Sequence, residues 1–117
     1  MTTTDTPRNI YIAGPMRGRE KFNFPAFYAA EKELQAKGWV TLNPARADND
    51  AGFDETTPQE NVTREMMNEF LLRDARMLSQ SDAIYLLDGW ETSKGARGER
   101  GIAEWLGLEI IYQTPID

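Results

Sequence analysis

The chain contains neither cysteine nor histidine. Without cysteine there are no disulfides and no thiolate metal sites. Without histidine the usual general base and the commonest metal ligand are both missing, so any acid–base chemistry falls to carboxylates, tyrosine or lysine. Long apolar runs are missing too: none approaches the roughly 18 residues of a membrane span. Residues 1–8 are polar, unlike the hydrophobic stretch of a signal peptide, and read as a flexible tail on a cytoplasmic protein. Positive charge is also scarce, with 13 Lys and Arg against 19 Asp and Glu for a net charge of −6. The cations are scattered, which argues against a nucleic-acid backbone as partner. A small anionic ligand needs only a few local cations and stays open.

What is present describes one globular domain over residues 9–117, because 117 residues with a hydrophobic fraction of 40% suffice for a modest core. Ile10–Ala13 is a short apolar, β-branched run ending at Gly14, and reads as a buried strand. A helix follows over 24–37, opened by Asn23 and Pro25 and stopped by Gly38, with Phe27, Ala30 and Leu34 on one face. Residues 39–42 form a second strand. The polar segment 45–56 reads as a long loop and a candidate lid. Thr57-Pro58-Gln59-Glu60 resembles a capping box, opening a helix to about Ser79 whose stripe is Val62, Met66, Phe70, Leu71 and Leu78. Residues 82–87 form a third strand, 96–106 a last helix, and 109–112 a final strand. This alternation predicts an α/β fold: a Rossmann-like or flavodoxin-like open parallel sheet of four to five strands, with helices on both faces.

In such sheets ligands bind beyond the carboxyl ends of the strands. That rule selects Gly14–Gly18, Asn43-Pro44 and Asp88–Glu99 before any motif is considered. Gly14 and Gly18 allow close backbone approach, and Arg17 offers a planar fork for phosphate or carboxylate. Ser93–Ala96 leads into a helix N-terminus that attracts anions. Glu99, expected in the first turn, is favoured as a carboxylate there by roughly 0.3–1 kcal/mol. Taken singly these features are weak. A Glu in a first turn commonly just complements the dipole, and Arg17 alone reads as a surface residue. Trp90 fits a core plug as well as a base-stacking platform. Asp74 reads as a solvated charge, and Asp82 as a turn cap.

Together they are specific. Tyr11-Ile12-Ala13-Gly14-Pro15-Met16-Arg17-Gly18 resembles the opening strand and loop of the nucleoside 2-deoxyribosyltransferase-like superfamily, and its Gly-x-x-Arg-Gly form resembles the 2′-deoxynucleoside 5′-monophosphate N-glycosidases. Ser93 to Ala103 resembles the superfamily's Ser-x-Gly-x-x-x-Glu-x-Gly-x-Ala segment, and Leu72-Arg73-Asp74 its helix-borne Asp. Trp90-Glu91 and Gly95-Ala96 look like a small branch found in phage and bacterial reading frames.

The resemblance implies that Glu99 is the nucleophile at C1′, and that Asp74 binds the sugar or assists proton transfer to the leaving base. It implies that Tyr11 and Gly14 shape the base and sugar pocket, and that Arg17, Ser93 and the Gly95 backbone hold a 5′-phosphate. Met16, Asp88 and Trp90 of the same loops join the substrate-binding set. It implies no metal and no cofactor, and a homodimer or higher oligomer in which a neighbour completes the pocket. Pro15 departs from the pattern where the monophosphate glycosidases carry a hydroxyl residue, and the loop before Ser93 is slightly longer, so Trp90 is placed to reshape base specificity. Three functions follow: hydrolysis of a nucleoside 5′-monophosphate, base exchange by a deoxyribosyltransferase, or a non-catalytic nucleotide-binding module.

Overall fold

The computed structural model describes residues 8–115. Of the expected tail only Arg8 lies among them, and it is paired with Glu109 at 3.0 Å. The elements run β1 (Asn9–Ala13), α1 (Phe24–Ala36), β2 (Val40–Leu42), α2 (Pro44–Asp50), α3 (Arg64–Ser79), β3 (Ala83–Leu86), α4 (Lys94–Leu106) and β4 (Glu109–Tyr112). The four strands are all parallel, in the order β2-β1-β3-β4. This is the α/β sheet the alternating pattern predicts.

The two central strands are buried on both faces, which is why β1 and β3 are almost wholly apolar. Alternate residues feed two cores. Ile10, Ile12, Tyr85 and Leu87 pack with Phe24, Phe27, Ala30 and Leu34 of α1. Tyr11, Ala13, Ile84 and Leu86 face the other way, onto Leu78 of α3 and Ala103 of α4. Helices therefore cover both faces, and the connections from β1 to β2 and from β3 to β4 run to opposite sides of the sheet, which makes the carboxyl ends of β1 and β3 the switch point at which ligands bind in this architecture.

Three local expectations are corrected. The segment 45–56 is not all loop, because α2 occupies Pro44–Asp50. Its composition is poor for helices, but Asn43 caps it by accepting from the Ala45 N–H at 3.0 Å. Pro44 stands in the first turn, where a missing N–H costs nothing. The helix is then held by ion pairs to its neighbours, Arg46 to Glu31 and Asp48 to Arg73. The capping box at Thr57 opens only a 3-10 turn, Gln59–Asn61. Val62 is extended, and α3 begins at Arg64, with Thr63 Oγ1 accepting from the Met66 N–H at 3.1 Å. The last helix starts at Lys94 with Ser93 as its cap, so Glu99 lies in its second turn, not the first.

The loop leaving β1 is unusual. Lys21, Phe22 and Asn23 are three consecutive non-glycine residues with φ of 52°, 51° and 61°. Each such residue costs about 1–2 kcal/mol. The turn is held by the buried Phe22 ring and by Asn23, whose Nδ2 donates to the Pro15 carbonyl at 2.9 Å.

Candidate active site

Three side chains converge where β1 meets α3 and α4. Tyr11 sits on β1 with its ring fully buried. Its hydroxyl donates to Glu99 Oε2 at 2.8 Å. Glu99 points inward because it shares a helix face with Ala96 and Ala103, both buried. Those two small residues let α4 lie close against the sheet. Asp74 precedes the buried Leu78 by one helical turn and so lies on the same inward stripe of α3. It meets Glu99 carboxyl to carboxyl, while its Oδ1 is buried with no hydrogen-bond partner.

Electrostatics follow from that crowding. Burial, and then the neighbouring Asp74 charge, push the Glu99 carboxyl well above the usual range, while the Tyr11 hydroxyl pulls it back. Asp74 is also raised by burial, and is pulled back by its hydrogen bond to Glu99 and by the charge of Arg73. Burial and then Glu99 likewise raise the Tyr11 phenol, which stays a donor. Two interacting carboxyls of this kind titrate as a unit with one shared proton. The expectation that the helix dipole keeps Glu99 ionised is corrected here: the dipole fades beyond the first turn, and desolvation outweighs it.

The remaining predicted residues stand around this centre. Gly14 follows β1, and a Cβ there would lie 2.8 Å from Leu87 Cβ, so only glycine lets the two strand ends come together. Arg17 is exposed, with Nη1 3.2 Å from Met67 Sδ at the top of α3. Met16 is half-buried against the α1-side core, on the face of the sheet away from Glu99. Asp88 is exposed, and its N–H donates to Gln113 Oε1 at 2.8 Å. Ser93 Oγ is engaged as the helix cap, accepting from the Ala96 N–H at 3.1 Å, with Gly95 beside it. The Trp90 ring packs into the second core against Tyr112, at 5.8 Å between centroids, beneath the Arg100 guanidinium. Asp82 is not a turn cap: it accepts from the Asn9 N–H at 2.8 Å and so ties the start of β1 to the start of β3.

Sequence reasoning passed over Asp48 and Arg73. Asp48 on α2 is 3% exposed and accepts from Arg73 Nη2 at 3.1 Å. Arg73 also lines a cavity of about 290 Å³ between the end of α2 and α3, with Phe53, Met66 and Phe70. The signal available was position, since Arg73 immediately precedes Asp74. No cluster of three or more acidic side chains among the described residues is arranged to hold a metal ion. Nor is any helix there long and apolar enough to cross a membrane.

Residues 8–112 match the family described as Domain of unknown function (DUF4406). The chain belongs to the DUF4406 family. Among solved structures this DUF4406 chain is similar to the 2-desoxiribosyltransferase from Leishmania mexicana, with a TM-score of 0.61 and 22% identity over 91% of its length. The similarity takes in 63% of that enzyme, so the DUF4406 chain spans less than two thirds of it, and the likeness is one of fold. No curated protein matches the DUF4406 chain in sequence.

Proposed function

We propose that the protein hydrolyses the N-glycosidic bond of a (deoxy)nucleoside 5′-monophosphate, with Glu99 as nucleophile. The observation that carries this reading is the buried Tyr11–Glu99 hydrogen bond with Asp74 against it, at the sheet's carboxyl edge. Asp74 takes up the shared proton as substrate binds, leaving Glu99 ionised with Tyr11 donating to it. A Glu99 oxygen bonds to C1′, the C1′–N bond breaks, and its electron pair leaves with the base, which is protonated from Asp74. Water then attacks C1′, gives a proton to Asp74 and displaces Glu99.

Base exchange is the second reading. Ser93 Oγ is committed to the helix cap and Pro15 offers no hydroxyl, which leaves Arg17 and the Gly95 backbone for a phosphate. A free base capturing the glycosyl-Glu99 ester in place of water would make the protein a deoxyribosyltransferase. Incubation with a panel of nucleosides and their 5′-monophosphates, with and without free base, followed by chromatography, tests both. Free base from monophosphates alone supports hydrolysis. New nucleosides formed only with added base support exchange. Full turnover by Glu99→Gln would refute Glu99 as nucleophile in either reading, and no turnover of any substrate by the wild type would leave the fold as a nucleotide-binding module.

We also propose that the protein works as a homodimer through exposed apolar residues of α3 and α4. Leu71, Leu72 and Trp105 are exposed, Trp105 at 85%. On α4 a Cβ at Gly98 or Gly101 would meet nothing, so the helix is bare there for a partner's side chains.

A further inference from the structure

Arg73 and Asp74 are consecutive residues of opposite charge, and each leaves a polar atom buried without a partner: Arg73 Nε, a donor, and Asp74 Oδ1, an acceptor. They do not pair with each other. The Arg73 guanidinium lies over the Phe70 ring, 5.6 Å from its centroid, and its ion pair goes across to α2, to Asp48. Asp48 is the more deeply buried partner, its side chain 4% exposed against 28% for Arg73. A carboxylate is expensive to bury, and an apolar residue of the same volume would serve packing as well or better. Its placement beside the reacting pair calls for another explanation.

We propose that Asp48 is a positioning residue that draws Arg73 away from Asp74, leaving Asp74 free to take the proton that Glu99 must give up. This rests on the reading of Glu99 as nucleophile. Without Asp48 the guanidinium falls back on the carboxylates beside it: the orphan Asp74 oxygen, next to it in the chain, and Glu69 and Asp54, which line the same cavity. An Arg73–Asp74 pair would hold Asp74 ionised, leave the shared proton on Glu99 and so silence the nucleophile.

The surroundings leave Asp48 few other partners. From α3 it faces Arg73 and Asp74; Tyr11 of β1 and Glu99 of α4 lie close enough to feel its charge. On α1, Glu31 is committed to Arg46 and Tyr28 donates to Asn49. Glu55 of the following loop accepts from Asn49. Burial, and then the Asp74 charge, raise Asp48 itself to about 6, with Arg73 opposing, so the clamp weakens in mild acid.

The test is a double-mutant cycle on the full chain, read two ways. Asp48→Asn should lower kcat at least 10-fold with little change in KM, Asp48→Glu should recover most of it, and adding Arg73→Gln to Asp48→Asn should restore kcat to within about threefold of wild type. A purely structural role for Asp48 predicts the opposite, with the double variant worse than either single one. The second readout needs no substrate: carbon-13 NMR titration of the Asp74 and Glu99 carboxyls in the ligand-free protein. Asp48→Asn should move the Asp74 titration to lower pH, and by more than it does in an Arg73→Gln background, where only the lost Asp48 charge acts. If that shift occurs in a protein that turns over no nucleotide or nucleoside, the proposed activity fails and the clamp stands. If Asp74 titrates unchanged in Asp48→Asn, or the double variant gains nothing, the clamp is overturned whatever the activity.

Discussion

Asp48→Asn should make the protein more stable at neutral pH. Asp48 binds its proton more tightly in the folded chain than in the unfolded one, with a pKa raised from 3.8 to about 6. Stability from this group is therefore complete below about pH 4 and is lost as pH rises through 6. By pH 7.5 the charged form costs up to ~3 kcal/mol relative to the protonated one, at about 1.4 kcal/mol per tenfold change in proton affinity. Asparagine carries no charge to desolvate. With local relaxation, the variant should gain about 1–3 kcal/mol at pH 7.5 and about half as much at pH 5, where the unfolded aspartate is ionised and folding must still bind a proton at Asp48. Urea unfolding of both proteins at the two pH values measures this directly. A loss of more than about 1 kcal/mol at pH 7.5, absent at pH 5, would refute the reasoning and make the Asp48–Arg73 pair a net stabiliser. A variant both more stable and slower would be one more case of stability traded for activity.

Other perturbations reach other parts of the structure. Tyr11→Phe removes a hydrogen bond to a charged group, about 1.5–3 kcal/mol. It should raise the Glu99 pKa and move the acid limb of the activity profile upward; a pH–rate profile identical to wild type would show that the hydroxyl plays no part. Gly14→Ala places a methyl 2.8 Å from Leu87 and should cost about 1–3 kcal/mol in urea unfolding, against no change if the strand ends can part. Trp105→Glu should convert a dimer to a monomer by light scattering, and a wild-type monomer would remove the α3–α4 interface. Arg17→Ala should raise KM for monophosphates and spare nucleosides; equal effects on both would end its phosphate role.

The sheet was legible because β1 and β3 are buried on both faces and must be written in apolar residues. The alternation with amphipathic α1 and α4 then leaves little choice of architecture. Helix α2 was not legible from composition, since its Asn and Asp residues favour turns. What forms it is the Asn43 cap, Pro44 and ion pairs to residues distant in sequence. The start of α3 was misplaced because Thr57-Pro58 and Thr63 both carry cap chemistry, and only the second is followed by unbroken helical backbone. At the site, strand-end position pointed to Glu99 but not to Tyr11 or Asp74, which only the family resemblance singled out. The protonation of the pair was not legible, because it depends on burial, and Asp74 on a charged stretch of helix looks solvated until α4 is packed against it. Asp48 carried no motif at all, and only its burial singles it out.

The left-handed turn at Lys21–Asn23 gives the loop after β1 a particular thermodynamic character. A chain that spends conformational energy at three consecutive residues, and anchors the Pro15 carbonyl with a side chain from the far end of the turn, has already lost most of its freedom before any ligand arrives. The Gly14–Gly18 segment would then bring little ordering entropy to binding. Substrates should be recognised by a nearly rigid rim, with selectivity set by shape at the loop and adaptation left to the exposed side chains of Arg17 and Met67.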